Sequence, residues 1–230
     1  MVRAEPSTIE KESLSHNLLG QRLGRKGRDT RDRIMLATER LLAEPPGTPI
    51  SLSAVAREAS LGMTTLYLYF SDLPELLIAV LAPIMATAED TYIAHLRSHW
   101  PDEELGAHCM TFVEAYHAFW LRNARILHLR NHYADNNDER MRLCRIAGSR
   151  NMIELFVHQM EGDAGGHRTP AFDMGTVLLT GIERLITVTT DGNFRTMMTE
   201  DPTQHIRNLL QAEARLLELA IRDGRASARA

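Results

Sequence analysis

The chain has 230 residues, 44% of them apolar, with 26 basic against 30 acidic side chains and a formal net charge of −4, a globular composition long enough for one large domain or two modest ones. Its two cysteines, Cys109 and Cys144, lie outside any CxxC pair, which excludes a disulfide framework and a zinc ribbon and points to a reducing, cytoplasmic setting. No uncharged stretch exceeds 13 residues, and the most apolar of that length, Leu76 to Ala88, contains Pro83; this is short of the ~20 that a spanning helix needs, and Glu5, Glu10, Lys11 and Glu12 stand where a secretory leader is apolar, so neither membrane nor export is expected.

Averaged over the chain, the acidic balance argues against a polyanionic partner. The charge is not evenly spread. Residues 21–71 hold eight basic and five acidic side chains, a balance of +3, whereas residues 72–230 hold 16 and 22, a balance of −6. Six of those eight basic groups fall between Arg22 and Arg33, a cluster able to face a polyanion, with a solvated tail as the alternative.

Residues 1–27 lack a sustained pattern and include Gly20, Gly24 and Gly27, so they are expected to form a flexible, basic-ended arm. From Asp29 onward, Ile34, Ala37, Leu41 and Leu42 lie on one stripe of a helix, which Pro45, Pro46 and Gly47 end. Ser51 suits an N-cap, its hydroxyl accepting from an orphan amide of the first turn. Leu52, Val55, Ala56 and Ala59 then keep helical spacing for two turns. Ser60-Leu61-Gly62 makes a turn, with Gly62 free to take whatever angles it requires. Met63 to Phe70 predicts a second short helix with Leu66 and Phe70 inward and Thr64, Thr65 and Tyr67 outward.

Asp72 and Glu75 are spaced as a capping box, with Pro74 in the first turn. The helix that follows carries Leu73, Leu76, Leu77, Val80, Leu81 and Ile84, is kinked at Pro83 and runs to about Leu96. Further helices are predicted over 102–122, 124–133, 137–160, 171–191 and 202–222, with a loop from Gly162 to Pro170. No strand alternation appears, so the fold class is all-α: an N-terminal three-helix unit, 28–72, followed by a larger helical unit, 73–230.

A basic arm, a supporting helix, and then helix, turn and helix within about 20 residues is the helix-turn-helix plan. Its second helix lies in the major groove while the first crosses the backbone. An ordinary helical hairpin with buried tyrosines is the alternative that spacing leaves open. The segment Thr48 to Asp72, TPISLSAVAREASLGMTTLYLYFSD, and its continuation to Leu77 resemble the DNA-binding domain of the TetR family of bacterial transcription regulators. The most specific marks are Leu66-Tyr67-x-Tyr69-Phe70 and the acidic, leucine-rich start of the next helix. The resemblance covers about residues 30–80; beyond them only helix pattern and length agree.

The resemblance implies a homodimer on a near-palindromic, double-stranded operator, with the helix at 63–69 in the major groove. It implies that Tyr67 and Tyr69 position the backbone, that Met63, Thr64 and Thr65 lie where bases are read, and that Ser51 contacts a phosphate. The arm around Arg25, Lys26 and Arg28 can reach the minor groove. Family members commonly carry lysine where this chain has Leu73. Arg28 or Arg31, together with the amide end of the fourth helix, is therefore expected to take more of the electrostatic load.

For the larger unit the resemblance implies a small-molecule effector, of unknown identity, whose binding releases the operator, as in a repressor. Phe112, Tyr116, Phe119 and Trp120 share one helix face, which either fills a core or lines a cavity. His117, His128, Met152 and Phe156 are further candidates for effector contact. The i, i+4 pairs His95/His99 and His128/His132 have metal-ligand spacing but lack a third ligand, so no metal or cofactor is expected. Arg125, His128, Arg130 and His132 offer an anionic effector an alternative. The helices at 171–191 and 202–222 are implied to form the homodimer contact.

Enzyme motifs are missing: there is no HExxH, GxSxG, P-loop or GxGxxG, so no catalytic activity is expected. The rival is a helical small-molecule-binding protein or a di-iron-like enzyme without operator binding. The latter needs several inward Glu-x-x-His pairs, and Glu114/His117 is the single pair with that spacing.

Overall fold

Helix α1 (Arg25–Ala43) begins four residues ahead of Asp29, so Arg25, Lys26 and Gly27 belong to its first turn and not to the expected arm. The computed structural model describes residue 18 and residues 20–45, 48–161, 169–197 and 201–229; most of the expected arm and all but the last two residues of the expected 162–170 loop lie outside them. The regular elements among the described residues are helical, apart from a single bridge residue at Arg22. Contacts divide the chain into two units, Met1–Ala82 and Pro83–Ala230, so the first ten residues of the helix starting at Leu73 group with the N-terminal unit.

In the first unit, α2 (Leu52–Glu58) and α3 (Met63–Leu66) follow α1. Ile34, Val55, Leu66, Leu76 and Leu77 are fully buried and Phe70 nearly so, which is the apolar stripe of each helix turned to a shared core. Ser51 caps α2 as expected, its hydroxyl accepting from the Ala54 amide at 3.2 Å. The turn is made differently from the expectation. Ser60, at φ 53°, takes the left-handed position and Gly62 stays extended at φ −74°. The Leu61 amide donates to the Ala56 carbonyl at 2.8 Å, the long closing bond of a Schellman motif that satisfies the last carbonyls of α2.

Helix α3 is a single turn, shorter than the expected 63–69, and Tyr67 to Tyr69 continue as turns held by Tyr69 N–H to Leu66 O at 2.9 Å. Helix α4 (Leu73–Ala86) contains Pro83. Asp72 accepts from the Glu75 amide at 2.9 Å, but Glu75 reaches back to Ser71, whose amide and hydroxyl donate at 2.6 and 2.7 Å. The reciprocal box is thus displaced by one residue.

In the second unit the expected helix to Leu96 is interrupted. A π-helical turn, Glu89–Ile93, precedes the short α5 (Ala94–Arg97), and Arg97 clamps Glu89 through two bonds of 2.5 and 2.7 Å. The run Leu73–Arg97 is long and apolar enough by composition to pass as a span, yet Leu76, Leu77, Val80, Leu81, Tyr92 and Leu96 are buried within the protein. Then come α6 (Leu105–Arg122), α7 (Ala124–Asp135), α8 (Glu139–Glu161), α9 (Pro170–Thr189), α10 (Gly192–Met197) and α11 (Pro202–Arg229). Helix α10 was not anticipated.

Helix α6 lies at the centre of this unit, burying Phe112, Tyr116, Phe119 and Trp120 among edge-to-face rings such as Phe112/Phe156 at 5.6 Å. Gln159 is fully buried and fully used: its amide donates to Leu96 O and Ser98 O, and its oxygen accepts from the Trp100 amide. Arg225 of α11 donates to the Gln159 carbonyl and pairs with Asp102. This network ties α8 and α11 to the 98–102 turn, since breaking any member strands a buried polar group.

Candidate functional site

The candidate recognition surface is built by packing one side of a very short element. Leu66 and Phe70 are buried, which leaves Thr64 exposed, Met63 and Thr65 half-exposed and Tyr67 50% exposed. Tyr69 is half-buried. A helix packed on one face and presenting hydroxyls and a phenol on the other has the donors that phosphates and base edges accept. The amide of Leu18 donates to the Leu68 carbonyl at 2.9 Å, which brings the end of the arm beside this surface.

The basic residues separate into two kinds. Arg22, Arg25, Lys26, Arg28 and Arg33 are exposed, and Arg28 braces itself on the Leu23 carbonyl at 3.1 Å. Arg31 is half-buried, with its guanidinium 5.3 Å from the Phe70 ring centroid and 3.1 Å from the Met35 sulfur. It therefore packs the core of the first unit, and burial lowers its pKa. The amide end of α4, expected to receive a phosphate, is occupied by the Asp72 and Glu75 carboxylates. These oppose the positive end of the helix dipole. Ser51 shares its hydroxyl between the Ala54 amide and Ser53 Oγ at 2.9 Å.

The second unit holds an enclosed cavity of about 50 Å3 lined by Tyr92, Tyr116, Phe119, Trp120, Met152, Arg130, Ser149 and Glu183, among others. Of the expected effector residues, Tyr116, Phe119, Trp120 and Met152 line it. Phe112 and Phe156 instead pack against each other in the core. His117 is buried away from the lining, and His128 is turned to the Thr190 hydroxyl at 3.2 Å.

An open groove of about 550 Å3 lies alongside, lined by Arg145, Ile146, Ser149, Arg150, Ile153, Phe172, Thr176 and Glu183. Ser149 and Glu183 border both spaces. Burial raises the Glu183 pKa against the pull of Arg130 and Arg145, and burial likewise holds the Tyr92 and Tyr116 phenols well above their ordinary value. Tyr92, Ser149 and Glu183 were not anticipated as lining. The one available signal was that Glu183 and Arg184 are the only charges between Val177 and Val188.

Of the two histidine pairs, His128/His132 stays within one helix, α7, and His95/His99 does not. The helix ends at Arg97, so His95 and His99 are not one turn apart on it, and His132 is exposed beside Asn136. Glu114 is exposed while His117 is buried, so the single Glu-x-x-His pair is split between solvent and core. On α9 and α11, Met174, Val177, Leu216 and Leu219 are exposed, Val177 at 67%.

No family model matches the chain, and no curated protein matches it. Among solved structures, it is similar to a transcriptional regulator of the TetR/AcrR family from Thermobifida fusca YX-ER1, 18% identical over 83% of this chain and 97% of that one, with a TM-score of 0.51. It is also similar to the fatty acid degradation regulator FadR from Bacillus halodurans, 14% identical over 86% and 97%, with a TM-score of 0.57. The chain has the fold of TetR-family transcription regulators: an all-α helix-turn-helix unit followed by a larger helical unit.

Proposed function

We propose that the chain is a TetR-family transcription regulator, a homodimeric repressor without catalytic activity that acts in the cytoplasm. It leaves a near-palindromic operator when a small molecule binds the second unit. The observation that carries this reading is the one-turn α3, packed inward by Leu66 and outward-facing through Thr64 and Tyr67, on a unit whose α1 presents exposed Arg25, Lys26 and Arg28. In the docked complex Met63, Thr64 and Thr65 read base edges, Met63 by apolar contact with a thymine methyl. Ser51, Tyr67 and Tyr69 position the phosphate backbone, and Lys26 and Arg28 supply charge. Arg31 acts by holding Phe70.

Dimerisation uses the exposed apolar stripe of α9 and α11. Two such helices from each subunit make a four-helix contact across a two-fold axis. Effector binding in the cavity shifts a two-state equilibrium that changes the separation of the two recognition helices. Half-sites sit about 34–36 Å apart or at multiples of this, so a modest shift spoils simultaneous docking. Pro83, which removes a hydrogen bond inside α4, is the proposed hinge.

A gel shift on DNA upstream of the protein's own gene, repeated with Tyr67→Ala, tests the reading. A shift for the wild type that is lost in the variant is expected. No shift for either would favour a helical binding protein without an operator.

A further inference from the structure

Arg130 is the one arginine that lines the cavity, and it is 5% exposed. Its Nε and one terminal nitrogen both donate to Asn131 Oδ1, at 3.2 and 3.0 Å, and its guanidinium carbon lies 5.4 Å from the Trp120 ring centroid. No carboxylate among the described residues forms an ion pair with it, although buried cations are ordinarily paired. Glu183 is the carboxylate that attends it at longer range, and Glu183 is also drawn toward Arg145 in the groove.

Glu183 accepts a long bond from the Ser149 hydroxyl at 3.5 Å, and the Tyr116 hydroxyl also interacts with it. Ser149 and Glu183 form the partition between the cavity and the groove. Apolar side chains line both spaces, Phe119, Leu127 and Met152 within and Ile146, Ile153 and Phe172 outside, beside Arg130 and Asn151 in the cavity and Arg145, Arg150 and Thr176 in the groove. A single guanidinium whose other edge is already committed to Asn131 suits one carboxylate and falls short of a multiply charged phosphate.

The cavity is too small to hold more than a head group, whereas the groove is within the range of a ligand site, about 300–1,000 Å3. Arg145 and Arg150 at the groove are each already paired, with Asp135 at 2.7 Å and with Glu154 at 3.0 Å, which leaves Arg130 as the cation for an anionic head group.

We propose that the effector is a monocarboxylate with an apolar body, that its head group enters between Ser149 and Glu183 to pair with Arg130 while its body lies along the groove of Ile146, Ile153 and Phe172, and that Glu183 is displaced outward toward Arg145. Glu183 is in this account an internal competitor: it compensates Arg130 when no ligand is present and gives way to a better-placed carboxylate. This inference rests on the effector reading given above and assigns that effector its chemistry.

The test uses the full chain with octanoate and octylamine as probes, read by calorimetric titration and by thermal shift. Octanoate is expected to bind and raise the melting temperature, and octylamine is not. Arg130→Gln is expected to weaken octanoate by about tenfold or more, while Glu183→Gln, which removes the competitor, tightens it several-fold. A purely structural role for Glu183 predicts no tightening. Equal binding of the two probes, unaltered octanoate binding by Arg130→Gln, or no octanoate binding by the wild type at millimolar concentration overturns the proposal. Should Arg130→Gln fail to fold, the Glu183→Gln affinity decides, and an unchanged or weaker value is contrary. Operator binding without an octanoate response sinks this inference alone, whereas octanoate binding without any gel shift sinks the regulator reading alone.

Discussion

The Arg31 guanidinium lies over the Phe70 ring, 5.3 Å from its centroid, and this contact joins the first helix to the end of the recognition segment. A desolvated cation over a ring is worth about 1–2 kcal/mol. Arg31→Ala is therefore expected to lower the melting temperature of the protein and to weaken DNA binding with little change in salt dependence. Arg28→Ala does the opposite, leaving stability unchanged and reducing the slope of log affinity against log salt by about one. Equal slopes for the wild type and Arg28→Ala would remove Arg28 from the interface.

Ser51 caps α2 and is proposed to meet a phosphate as well. Ser51→Ala is expected to cost about 1 kcal/mol in chemical denaturation. Ser51→Asp keeps an acceptor for the Ala54 amide but places a negative charge against DNA, so it is expected to restore stability and not operator affinity. Recovery of both by Asp would mean that Ser51 only caps.

Val177, at 67% exposure on α9, is the most direct probe of the proposed dimer contact. Val177→Glu places a charge on the apolar stripe, where a desolvated, unpaired carboxylate is costly. Sedimentation is expected to show dimer for the wild type and monomer for the variant, with the gel shift lost in parallel. A wild-type monomer would remove the two-fold operator with it.

Glu213 gives a signed pH prediction. Its Oε1 has no hydrogen-bond partner among the described residues, and burial raises its pKa above 4.5. The folded state then holds the proton more tightly than the unfolded chain, so the favourable contribution is complete below pH 4.5 and is lost as pH rises through the folded value. Asp102 and Glu218, lowered by their arginine partners, change only at still lower pH. The melting temperature of Glu213→Gln is expected to match the wild type near pH 4.5 and to exceed it increasingly toward neutrality. A pH-independent gap would contradict the burial of this carboxyl.

Helix positions were legible because apolar periodicity and proline punctuation are local signals: α6, α9 and α11 begin or end within a few residues of expectation. The capping role of Ser51 was legible for the same reason. What escaped depends on tertiary packing. Ser60 and not Gly62 takes the left-handed angle, because the Schellman bond from Leu61 to Ala56 sets where the chain reverses. Arg31 looks like a phosphate ligand until Phe70 is seen beneath it. Phe112 and Tyr116 share one face of α6, yet only Tyr116 meets the cavity, because Phe156 from α8 covers Phe112. Glu183 and Arg130 are 53 positions apart in the sequence, and no spacing rule joins them.

The central claim is that two copies of α3 read two half-sites, and selection from a random duplex pool tests it without assuming which gene is regulated. The account predicts enrichment of a near-palindrome whose half-site centres are one or two helical turns apart, with loss of enrichment for Tyr67→Ala. Failure to enrich any duplex, or enrichment of a single asymmetric site bound by one copy, would contradict it.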